Sequence, residues 1–168
     1  MFRRLRRTAP AALVPLAWGF VIAAHLDLVS RHAVVVSHVV ICAILLAFTA
    51  LSWSEMRSGV LFVWKLVLLI GFGITALGLV GLTTEVHELL PITVVGWMLV
   101  PGAAFAYTAR AGALGGGIYL GGAALSLLGA LSYLAGLLVA SDPGLLAGLA
   151  LAGVGQTAGI ANAVYREA

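Results

Sequence analysis

The chain has 168 residues, of which 62% are hydrophobic and only 9% charged, with a formal charge of +3 and a mean hydropathy of +1.15. A water-soluble domain carries roughly 25% charged residues, so nine basic and six acidic side chains cannot hydrate a fold of this size. Lipid is therefore the main solvent, and a soluble globular domain is excluded. The basic excess is clustered arginine near membrane ends, which speaks to orientation and not to nucleic acid.

Four arginines, Arg3, Arg4, Arg6 and Arg7, precede the first apolar run. Such a start resembles the opening of a signal peptide, with a small-x-small cleavage pattern near Ala23. The run continues to Val29, which suits an uncleaved spanning anchor better. Apolar segments then separate at short polar breaks, giving predicted spans near 10–29, 33–52, 59–82, 92–108, 113–140 and 144–165. A span needs roughly 20 apolar residues at 1.5 Å each, and the fourth segment is the shortest. The expected fold is all-α, a polytopic bundle of six spans in one transmembrane domain. The connections are short, so consecutive helices are expected to be antiparallel neighbours.

Charge sets the expected orientation. With the N-terminus inside, the inner segments hold Arg3, Arg4, Arg6, Arg7, Arg57, Arg110 and Arg166, against Arg31 alone outside. This bias places both termini in the cytoplasm and the chain in the plasma (cytoplasmic) membrane. Trp53, Tyr107 and Tyr165 fall at inner helix ends, where amphipathic rings prefer to lie.

Glycine spacing marks expected helix contacts. Gly117 and Gly121, Gly144 and Gly148, and Gly155 and Gly159 are each four apart, while Gly71 and Gly78 share a face with Thr75. Small residues at such spacing let backbones approach. They are expected to pack the bundle internally, or else to build a homo-oligomer or a larger membrane complex.

Few residues carry chemistry. His25 and His38 lie six before and seven after Arg31, the middle of the expected first outer turn. That puts both rings at one depth, about 10 Å below the turn. Two imidazoles at one level suggest a haem, metal or quinone site, with Cys42 as a further soft ligand one helical turn beyond His38. Against it stands the ordinary role of an intramembrane histidine as an interhelical hydrogen-bonding partner, and no cofactor is expected. Glu85, His87 and Glu88 form an acidic outer connection that, with Asp27 and His32, could gather a cation; a solvated loop is the simpler reading. Lys65, about 9 Å from the inner end of its helix, is expected to snorkel towards the interface. Pro101-Gly102 should kink the fourth helix, a feature that some transporters use to build substrate sites. Gln156, Thr157 and Asn162 are expected to hydrogen-bond between helices.

No GxSxG, Walker loop, CxxC or HExxH occurs, and Gly115-Gly116-Gly117 lacks the flanks of a phosphate cradle. The function expected is a small membrane protein, not an enzyme: an accessory subunit, scaffold or simple conduit in the lipid bilayer. A redox protein using His25 and His38, or a transporter around the kinked fourth helix, are the alternatives.

Overall fold

Six helices account for the fold of the described residues, and their ends follow local chemistry. A computed structural model describes the backbone of residues 2–167 and the side chains of residues 11–166. The Arg3–Arg7 cluster thus lies outside the described side chains. The helices are α1 (Phe2–His25), α2 (Arg31–Ser52), α3 (Gly59–Thr84), α4 (Leu89–Arg110), α5 (Gly116–Leu138) and α6 (Asp142–Glu167). Among them α2 to α6 are each long and apolar enough to cross a membrane, and Ala11–His25 is a shorter apolar stretch. The chain is an all-α, multi-pass membrane bundle.

The largest departure from the sequence reading is at the end of α1. The apolar run continues to Val29, but the helix stops at His25 because Asp27 adopts a left-handed conformation, φ 54°. The Leu28 amide then donates to the Ala23 carbonyl and the Asp27 amide to the Ala24 carbonyl, the paired bonds of a Schellman terminus. Aspartate tolerates this conformation better than most non-glycine residues. Ala140, φ 51°, ends α5 in a similar way, with the Ser141 amide donating to the Gly136 carbonyl. Ser30 caps α2, its hydroxyl accepting from the Ala33 amide at 3.2 Å.

Packing follows the order α2, α3, α4, α5, α6, α1, with α4 also touching α6. Four of the five consecutive pairs pack together as expected. The exception is the first pair: α1 lies along α6 and α2 along α3, although only Leu26–Ser30 joins them. The residues of α1 that decide this are Val14, Trp18, Val21 and Ile22, spaced for one helix face. Trp18 seats against Gly153 of α6 and joins a core of Met98, Ala130, Tyr133, Leu149 and Ala152.

The α5–α6 seam is built on glycine. A Cβ added to Gly129 would lie 2.6 Å from the Gly148 carbonyl oxygen, one on Gly122 2.8 Å from that of Gly155, and one on Gly136 2.7 Å from the Leu145 amide nitrogen. Residues 122, 129 and 136 are seven apart, so each returns to the same face after two turns. The expected Gly148 and Gly155 contacts are present, and Gly159 packs on the Phe105 ring. The Gly117–Gly121 pair is corrected: neither has a neighbour within 4 Å of an added Cβ. Gly122, one residue on, carries that part of the seam.

Pro101 lies inside α4, which runs without a break from Leu89 to Arg110. Proline has no amide hydrogen, so the Trp97 carbonyl, four residues earlier, loses its helical partner. Gln156 of α6 replaces it: Nε2 donates to the Trp97 carbonyl at 2.9 Å and to that of Met98 at 3.4 Å. The Gln156 Oε1 atom in turn accepts from Trp18 Nε1 at 3.1 Å. One side chain thereby joins α1, α4 and α6. Next to Pro101, Gly102 lets α5 approach until Ser126 Cβ would be 3.0 Å from an added Cβ. The Ser126 hydroxyl is fully buried and, among the described residues, is the buried side-chain polar atom without a hydrogen-bond partner.

Two outcomes are expected from this packing. Gly129→Leu should destabilise the purified protein by about 2 kcal/mol or more, whereas Gly121→Leu should change stability by less than about 0.5 kcal/mol. Unfolding in mixed micelles measures both, and equal losses would contradict the seam. Gln156→Leu should be destabilising by about 1–3 kcal/mol, since it strands a buried carbonyl and a buried indole N–H. Pro101→Ala restores an amide donor to Trp97, so the loss on Gln156→Leu should be smaller in that background. A double-mutant cycle with no coupling would show that the two residues act independently.

Candidate functional site

The shift of the first turn decides how the histidines sit. With the turn at Leu26–Ser30, His25 is the last residue of α1, while His38 is the eighth of α2. Their depths differ by about seven residues, or roughly 10 Å along the helix axis, in place of the equal depth read from the sequence. Each ring is also held elsewhere. His25 Nδ1 lies 2.9 Å from the Val21 carbonyl, which can only accept, so Nδ1 carries the hydrogen. Its Nε2 then accepts from the Tyr133 hydroxyl of α5 at 2.9 Å, and the two rings meet edge to face with centroids 5.6 Å apart. His38 Nδ1 donates to the Val34 carbonyl at 2.8 Å. The other edge of His38 rests on Gly78 of α3, beside Thr93 of α4. Cys42 is a free, half-buried thiol. Among the described residues no three His, Cys, Asp or Glu side chains converge as a metal would require.

The acidic connection between α3 and α4 is dispersed by its own backbone. Glu85 ends α3 in a left-handed conformation, φ 63°, and Glu88 precedes α4, so the two do not share a helical turn. Arg31 Nη1 pairs with the Glu85 carboxylate at 3.0 Å and Nη2 donates to the Leu82 carbonyl. A cation against the last carbonyls of α3 also complements its helix dipole. Both charged groups are largely exposed, and exposed pairs contribute little to stability; their role is to join the start of α2 to the end of α3. His87 and Glu88 are exposed in the same connection.

Lys65 is buried, with 8% of its surface exposed. Its ammonium lies 4.4 Å from the centroid of the Trp53 ring and 5.2 Å from that of Phe62. The stem therefore runs back towards the α2–α3 connection, where Trp53 follows the end of α2, and the charge meets aromatic faces. The sequence offered both residues; their meeting depended on helix rotation, which composition does not set.

Other polar contacts are structural. Trp97 Nε1 donates to Thr75 Oγ1 at 3.1 Å, and Trp64 Nε1 to Thr108 Oγ1 at 3.2 Å. Asn162 Oδ1 accepts from Arg166 Nε at 2.9 Å, and its amide reaches the Leu114 carbonyl at 3.5 Å. An open apolar groove of about 330 Å³ lies between α4 and α5, lined by Pro91, Ile92, Val95, Gly96, Leu99 and Leu134. Comparison with known protein families, curated proteins and solved structures found no match.

Lys65→Met is expected to fold and to lose about 1 kcal/mol, the contribution of the ring contacts, while Lys65→Arg keeps most of it. Trp53→Leu should lose a similar amount, and the double variant little more than either one. Unfolding curves that add fully would show that the ammonium and the indole are not coupled.

Proposed function

We propose that this chain is a non-enzymatic scaffold or accessory subunit of the cytoplasmic membrane, with both termini on the cytoplasmic side. The observation that carries this reading is the use made of the interior polar groups. Gln156, Trp18, Trp97, Thr75, Trp64, Thr108, His25 and Tyr133 each bond another helix. The backbones of α5 and α6 meet where a conduit would need space. Such an interior holds helices in fixed register and presents long apolar faces outward, among them Val36, Val39 and Val40 of α2 and Leu127, Leu128 and Leu131 of α5. Lipid or partner helices would cover those faces. The outward Gly117 and Gly121 are shallow enough for a second helix to approach.

Orientation is supported by how the charges sort. Arg57, Arg110 and Arg166 gather at one end of the bundle, with exposed Trp53, Tyr107 and Tyr165. At the other end Arg31 is paired with Glu85, and Asp27, Glu88 and Asp142 share that end. The arginine-rich end is the cytoplasmic one under the positive-inside rule.

Two measurements test the proposal. A tag at Ala168 should resist labelling in intact cells and react after permeabilisation; labelling from outside would invert the topology. Liposomes holding the purified protein should pass small ions and solutes no faster than empty ones, and saturable flux would replace the scaffold reading with a transporter.

A further inference from the structure

The ends of α1 and α6 border a small pocket of about 60 Å³ at the end of the bundle remote from Arg57, Arg110 and Arg166. It is lined by His25, Leu26, Asp142, Leu145 and Leu146. A water molecule's share of liquid volume is about 30 Å³, so the pocket takes two groups of that size. Its polarity is one-sided. The Nδ1 hydrogen of His25 is used by the Val21 carbonyl, and Nε2 receives the Tyr133 hydroxyl. The imidazole therefore offers no free N–H. Asp142, in the first turn of α6, supplies a carboxylate, which only accepts. The C-terminus of α1 and the N-terminus of α6 meet there, so their helix dipoles oppose, while the Gly144 and Leu145 amides of α6 are taken by the Ser141 hydroxyl and carbonyl. Arg31, the nearest arginine in sequence, is held by Glu85 and the Leu82 carbonyl.

We propose that this pocket binds a primary ammonium group. Three N–H donors and a positive charge complement the Asp142 carboxylate. One –NH₃⁺ with its first methylene fills two water-sized volumes, and Leu26, Leu145 and Leu146 suit the methylene. Tyr133 serves as a positioning residue: its hydroxyl orients the His25 ring and keeps the ring's hydrogen on the Val21 side. A quaternary ammonium has no N–H to donate and is too wide. The group could arrive on an aminophospholipid headgroup, since the pocket lies at the helix ends, or on a free amine.

The test uses the full chain in non-ionic detergent, titrated with ethanolammonium chloride and, at equal ionic strength, with choline chloride. Melting followed by tryptophan fluorescence should rise saturably with the first salt only. Asp142→Asn should weaken the apparent affinity by about tenfold or more, as loss of a charge-assisted hydrogen bond requires. Leu146→Trp, which fills the pocket and leaves His25 and Asp142 in place, should abolish the response. Native mass spectrometry from mixed phosphatidylethanolamine and phosphatidylcholine bilayers separates the sources. Selective retention of the ethanolamine lipid, lost in Asp142→Asn, names the headgroup; equal retention with the ethanolammonium response intact names a free amine. Equal shifts with both salts, no shift with either, or an unchanged response in Asp142→Asn would overturn the proposal.

Discussion

A single missing hydrogen organises the centre of this bundle. Pro101 deprives α4 of one amide donor, and in lipid no water replaces it. The Trp97 carbonyl must find a donor from another helix, and Gln156 is placed to give it. Because an amide side chain both donates and accepts, the same residue captures the Trp18 indole. The backbone defect in α4 thus fixes the rotation of α6, and α6 fixes that of α1. Helical continuity through Pro101 follows from the same contact, because a neighbouring side chain replaces the lost bond where an isolated helix would open.

Glycine sets the distance over which such bonds can form. In lipid the association of helices draws on packing and hydrogen bonds more than on the hydrophobic effect. Gly122, Gly129 and Gly136 bring α5 against α6 at backbone contact, while Gly71 admits the Trp97 ring and Gly78 the His38 edge on α3. Several of the large interior rings face a residue without a side chain. Phe105 lies on Gly159, and Trp18 on Gly153. Ring size and glycine position are therefore read together, and the indole N–H groups reach their threonine and glutamine acceptors because the rings can enter so far.

Much of the architecture is legible in the sequence, since hydropathy and short polar breaks locate helices whatever their neighbours. The spans near 33–52 and 59–82 match α2 and α3 to within two residues. What is not legible depends on rotation and on a single dihedral. Asp27 ends α1 four residues before the apolar run does, and that moves His25 out of level with His38. Leu28, which apolar patterning assigns to a span, is 72% exposed at the turn. Glycine spacing identified Gly148 but not the difference between Gly121 and Gly122, which lie about 100° apart on one helix. Gln156 was readable as an interhelical bonder, whereas Asn162, read in the same way, bonds Arg166 of its own helix and the Leu114 carbonyl ahead of α5. The partner of Gln156 was not readable, because Pro101 and Gln156 are 55 positions apart and only the fold makes one the answer to the other.

The seating of α1 beside α6 has a consequence for how the chain is made. Helices α3 to α6 can each pack on the one before as they leave the ribosome, but the partner of α1 is the last of the six to be synthesised. Trp18 and Gln156 are 138 residues apart. At about 5–20 residues per second, α1 waits roughly 7–28 s in the membrane before its indole and its glycine seat at Gly153 become available. Throughout that interval its tryptophan faces lipid, insertion machinery or another chain. The order of synthesis makes the first helix the last to dock, and the Leu26–Ser30 turn is the tether on which it waits.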